Sequence, residues 1–206
     1  NLDHLDWPSI RTFIHSISEA RATFTTETGI KKYSVQLKVP DTLEIPYLLQ
    51  EYFVEDETVV LIQQHPWLNE DSIFDVVSYF GQPSQIFVRT YSEPIQGDLP
   101  FDIMLFYQDQ SMAVSFQYQA TKDNGMINVC LTPVDGYMLL VWDDEFANSF
   151  EEVLEITDTH SAEEWQFRTA DTALEIGYSD LITGLMNPTG QFCFSSSSDL
   201  WTPALR

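Results

Sequence analysis

Four histidines, two cysteines and 32 carboxylates are the side chains of this 206-residue chain with chemistry to offer. His4, His15, His65 and His160 form no His-x-His or His-x-x-x-His pair, so no zinc site is local in sequence. His65 precedes Pro66 and His160 stands beside a capping residue; both read as loop residues. Gly177-Tyr178-Ser179-Asp180-Leu181 approaches the elbow that exposes a nucleophilic serine, but the second glycine is missing. No glycine-rich nucleotide loop occurs. Carboxylate pairs are abundant enough for paired-acid hydrolysis of glycans, although a chain this acidic brings carboxylates together without design. Asp143-Asp144-Glu145 offers oxygen ligands of the kind Ca²⁺ takes, without the spacing or glycine of an EF-hand loop. The same acids are favourable at a helix N-terminus. Glu55-Asp56-Glu57 reads as a solvated turn. No cofactor, catalytic set or metal-ligand set is expected.

Cys130 and Cys193 each lie in an apolar, strand-like run, and no Cys-x-x-Cys is present. They are either a disulfide or two buried thiols. Scarce lysine, an acidic surface and plentiful Ser, Thr, Tyr and Gln point to a secreted setting, where a bridge persists. A Cys130–Cys193 disulfide is the expectation.

Thirty-two acids face nine bases, a net charge of −23. Residues 1–38 carry five bases and four acids, whereas residues 39–206 carry four bases and 28 acids. Such a surface repels phosphate backbones and anionic lipid, which argues against nucleic-acid partners and membrane surfaces. Cationic partners, Ca²⁺ or high salt are compatible with it, as is plain solubility. No apolar run reaches the ~18 residues of a membrane span. The chain begins at Asn1 without Met, read as a mature start from which a signal or lipid anchor has been removed.

The elements follow from periodicity and punctuation. Asn69 caps a helix whose Ile73, Phe74, Val76, Val77 and Phe80 share a face, and Gly81 with Pro83 stops it. Strands are expected over 33–39, 58–63, 85–92, 101–107, 112–119, 126–132 and 137–142, with an Asp135-Gly136 turn before the last. Helices are expected from Trp7-Pro8-Ser9 through Phe24, over 45–53, over 143–156, from a Ser161-x-x-Glu164 capping box, and over 172–186. Ser195–Asp199 reads as a loosely ordered end, with Leu200 and Trp201 tucking back. The fold class is α+β: an antiparallel meander with helices packed on one face. Asp71–Val77 echoes Asn148–Leu154, so a duplicated helix-plus-strands unit and shared capping grammar are both open. One domain over 1–206 is expected, with halves 1–119 and 120–206 as the alternative division.

The run Asn69-Glu70-Asp71-Ser72-Ile73-Phe74-Asp75-Val76-Val77-Ser78-Tyr79-Phe80-Gly81-Gln82-Pro83 resembles the helix-to-LGxP segment of SmpA/OmlA-type outer-membrane lipoproteins. It is also similar to the related β-lactamase-inhibitor-like folds. The likeness covers about fifteen residues. It implies helices on a small antiparallel sheet and a protein-binding role in the cell envelope, and it transfers no functional residue.

Phe87, Tyr91, Tyr107, Tyr118 and Trp142 fall where they line one sheet face. Uncovered, they form a platform for a protein or a surface glycan; covered by helices, they are core. The leading expectation is a non-enzymatic extracellular or cell-envelope binding domain. The alternative is a small extracellular hydrolase using paired carboxylates.

Overall fold

A computed structural model describes residues 6–8, 20–25, 29–38, 47–65, 72–132, 137–147, 149–157, 166–186 and 192–203. Eleven strands carry most of it: β1 Ala20–Thr25, β2 Lys31–Lys38, β3 Tyr47–Glu55, β4 Thr58–His65, β5 Gln85–Thr90, β6 Pro100–Tyr107, β7 Met112–Asp123, β8 Met126–Leu131, β9 Met138–Trp142, β10 Arg168–Thr169 and β11 Phe192–Ser197. Four helices accompany them: α1 Ile73–Phe80, α2 Phe150–Thr157, α3 Ala170–Ala173 and α4 Tyr178–Met186. The α+β class therefore holds, with a large antiparallel sheet as its main component. The described chain forms two compact units whose segments alternate in sequence.

The first unit comprises residues 1–68, 108–114 and 138–160. Its strands run in the order β1-β2-β3-β4-β9, each pair antiparallel. The β3–β4 turn is Asp56-Glu57, with φ +44° and +67°. Positive φ at both central residues gives the twist a two-residue hairpin needs. Tyr33, Val35, Tyr52, Val54, Val59, Ile62 and Val141 gather around Trp7. Its ring centroid lies 4.4 Å from that of Tyr33 and 5.5 Å from that of Tyr52. The Trp7 backbone N–H donates to Glu57 O at 2.8 Å, fixing the chain start against the β3–β4 turn.

Three expectations in this unit are corrected. Residues 45–53 were expected helical; 47–55 form β3, since Tyr52 faces the Trp7 cluster while the neighbouring Phe53 is fully buried on the opposite face. Burial on both faces removes the period-2 signature and leaves a pattern that mimics a helix. Phe24 belongs to β1 and not to a helix; Trp7 and Pro8 are helical, and residues 9–19 lie outside the described residues. The helix expected from Asp143 begins only at Phe150, because Asp143–Phe146 forms a turn in which Asp143 Oδ1 accepts the Glu145 N–H at 2.9 Å. The 161–164 capping box and the 135–136 turn lie outside the described residues.

The second unit comprises residues 69–107, 115–137 and 161–206. Its strand order is β7-β6-β5-β10, with β8 joining β7 and β11 joining β8. Asn124 and Gly125, at φ +49° and +79°, close the β7–β8 hairpin with the residues such a turn favours. Ile86 and Val88 of β5, Ile103 of β6, Leu131 of β8 and Phe194 of β11 share a core with Ile73 of α1 and Leu181 of α4, and the space among them admits no water-sized molecule. Each fully buried aliphatic of this kind contributes about 1.5–3 kcal/mol relative to exposure.

Residues 172–186 are two helices, α3 and α4, separated at 174–177. The serine run expected to be loose is instead β11 and a following 3₁₀ turn. Ser196 is fully buried; its hydroxyl donates to Ala173 O at 2.6 Å and accepts from Trp201 Nε1 at 2.9 Å. Trp201 is 7% exposed, so the expected tuck-back of the chain end is present. Cys130 and Cys193 stand opposite each other in the β8–β11 register and form a disulfide.

Candidate interaction surface

The α1 helix starts at a capping box. Ser72 Oγ accepts the Asp75 N–H at 3.3 Å, and Asp75 Oδ2 accepts the Ser72 N–H at 2.8 Å. Asn69, the expected cap, lies outside the described residues. Those hydrogen bonds, the Ser72 hydroxyl first, hold the Asp75 carboxyl below its ordinary value. Ile73, Val76 and Val77 are buried, while Asp75, Ser78 and Tyr79 point to solvent. Tyr79 is 83% exposed; among the described residues it and Met186, 48% exposed, are the large hydrophobics left in water. Tyr178 Oη lies 3.5 Å from Pro83 O, bringing the start of α4 to the end of α1. Ile73, at the other end of α1, lines the core with Leu185. The two helices are thus antiparallel, with Tyr79 and Met186 at opposite ends.

An aromatic chain runs inward from Tyr79. Its ring meets Phe80 edge-on, with centroids 4.7 Å apart and an interplanar angle of 80°. Phe80 leans on Tyr107, centroids 5.9 Å apart. The Tyr107 hydroxyl donates to Gly81 O at 3.2 Å. Burial pushes the Tyr107 phenol well above its ordinary value, so it remains a neutral donor. Gly81 has φ +84° and ψ −163°, a conformation essentially reserved for glycine, and its N–H closes the helix on Val77 O at 2.9 Å. Tyr178 is also raised, by burial first and then by the Asp171 carboxylate.

The electrostatics at this end are one-sided. The last turn of α1 carries no basic residue, leaving the negative end of its dipole without a compensating charge on the helix. The first turns of α3 and α4 add Asp171 and Asp180. An exposed ring on a helix end with this charge is suited to a cation.

Other polar groups hold strands together. Arg89 of β5 and Asp102 of β6 are register partners, with Nε and Nη2 at 2.8 and 2.7 Å from Asp102 Oδ2. Gln117 Nε2 of β7 donates to Asp102 Oδ1 at 2.9 Å, and the Phe167 ring lies 4.3 Å from the Arg89 guanidinium carbon. Tyr91 is raised above its ordinary value, chiefly by burial; Arg89 opposes the rise and Asp102 adds to it. In the first unit, Glu51 accepts from Ser34 Oγ at 3.0 Å and pairs with Lys32 at 2.8 Å. No group of three His, Cys, Asp or Glu among the described residues is arranged to hold a metal ion.

The aromatics expected to share one face do not. Phe87, Tyr107, Tyr118 and Trp142 are 4, 2, 3 and 1% exposed, and Tyr91 is half-buried. Phe87 is paired with Met104, so Tyr107, three residues further along β6, takes the opposite face. Tyr118 follows Gln117, which reaches Asp102, and so lies on the Tyr107 side. Trp142 belongs to the first unit, where its Nε1 donates to Ala147 O at 3.0 Å. Only Tyr107 touches the Tyr79 chain. His65 ends β4 instead of lying in a loop, and Ser179 sits in the first turn of α4 with no strand before it. Tyr79 escaped the sequence reading, although an aromatic on the polar side of an amphipathic helix was its visible signal. Compared with protein-family models, curated proteins and solved structures, the chain gives no match.

Proposed function

We propose that this protein is a non-enzymatic binding domain of the cell envelope or the extracellular space, and that the end of α1 around Tyr79 is its contact surface. The observation that carries the reading is the exposed Tyr79 ring. Burying such a ring brings a large apolar area at little conformational cost, since only two torsions must be fixed. The Cys130–Cys193 disulfide supports the compartment, because such bridges persist where the surroundings are oxidising. The resemblance of residues 69–83 to envelope lipoproteins points the same way and supports a protein partner. Asp102 and Glu51, the carboxylates most removed from water, are engaged in ion pairs between strands and serve the scaffold.

A photo-reactive amino acid at position 79 tests this in the native envelope. Cross-links to a discrete species are expected from position 79 and not from the exposed Gln119 of β7. Equal labelling from both positions would end the proposal.

A further inference from the structure

The chemistry of the partner can be narrowed, on the premise that the Tyr79 surface is a contact site. We infer that this surface takes an arginine- or lysine-bearing segment of a protein, with a cationic side chain set against the Tyr79 ring. Three independent features converge on positive charge. An aromatic face attracts a cation through its quadrupole, most usefully when the ring is held in place. Here Phe80 and Tyr107 fix the ring from beneath, and the Tyr107 hydroxyl is tied to Gly81. The C-terminal end of a helix favours cations, and α1 supplies no base of its own there. The charge around it is acidic, with Asp171 close enough to Tyr178 to act on its phenol. Across residues 72–132 and 166–203 the bases are Arg89, Lys122 and Arg168, of which Arg89 pairs with Asp102 and Lys122 with Glu93 at 2.6 Å.

Two other features carry less. The Met186 side chain stands at the far end of the helix pair, apart from Tyr79. The Arg89–Asp102–Gln117 row is closed on itself by its own hydrogen bonds.

The test is titration calorimetry of the purified protein with a nona-arginine peptide at physiological salt, against a nona-glutamate control. Tyr79→Ala leaves the net charge unchanged, so it separates the ring from the bulk acidity. The expected result is that the arginine peptide binds and the glutamate peptide does not. Tyr79→Ala is expected to weaken binding about 2- to 5-fold, the scale of an exposed cation–π contact. Tyr79→Phe, which keeps the ring, restores the wild-type affinity. Identical affinity for wild type and Tyr79→Ala overturns the inference, as does binding to phosphatidylcholine vesicles in place of the peptide. A cross-link from position 79 to a neutral partner would contradict the cationic assignment and leave the contact surface standing.

Discussion

Asp102, 3% exposed, accepts three hydrogen bonds, two from its register partner Arg89 and one from Gln117. A single carboxylate therefore ties β5, β6 and β7 on the face that also carries Phe87. Removing only one partner strands the other. Asp102→Ala is expected to destabilise by about 3 kcal/mol in urea unfolding. Replacing both residues at once, Arg89→Met with Asp102→Leu, is expected to recover most of that loss. A double variant as unstable as Asp102→Ala would contradict the account of this pair.

The disulfide joins residues separated by 63 in sequence, so it removes much freedom from the unfolded chain. Cys130→Ser with Cys193→Ser is expected to lower stability by about 4 kcal/mol while leaving the β8–β11 pairing intact. Circular dichroism of the folded variant together with its melting curve checks both statements. Two titratable thiols in the unreduced wild-type protein would refute the bridge itself.

Ser72 and Asp75 form the reciprocal cap of α1. Ser72→Ala is expected to cost about 1 kcal/mol at neutral pH. Because Asp75 is held below its ordinary value in the folded state, its share of stability is present above roughly pH 4 and is lost as pH falls through the folded value. The gap between Ser72→Ala and wild type is therefore expected to narrow below pH 4. A gap that widens on acidification would show that the carboxylate is not the partner.

The Tyr118 hydroxyl is buried and has no hydrogen-bond partner among the described residues. Burial raises its phenol well above the ordinary value. Tyr118→Phe removes a desolvated hydroxyl while keeping the ring, so it is expected to be neutral or to stabilise by about 1 kcal/mol. A clear loss of stability would mean that the hydroxyl is satisfied.

Legibility in the sequence tracked whether an element kept one wet face. Alternation in Met112–Gln119 announced β7, and Gly81 with Pro83 marked the end of α1. β3 was missed because its adjacent Tyr52 and Phe53 are both buried, on opposite faces. β11 was missed because serine reads as solvent, whereas Ser196 is buried with its hydroxyl satisfied by Ala173 and Trp201. The aromatic platform failed for the same reason as β3, since period alone does not say that both faces of β5 and β6 are covered. Tyr79 needed the opposite inference: its neighbours on the helix fixed an inward face, and it was not on it.

Tyrosine-selective modification, followed residue by residue in the purified protein and in intact envelopes, bears most directly on the proposed contact. In the purified protein Tyr79 is expected to react fast, with buried Tyr107 and Tyr118 as slow internal references. In the envelope Tyr79 is expected to be markedly protected, and stripping with high salt to restore its reactivity. Equal rates for Tyr79 in both settings would contradict a partner seated on the end of α1.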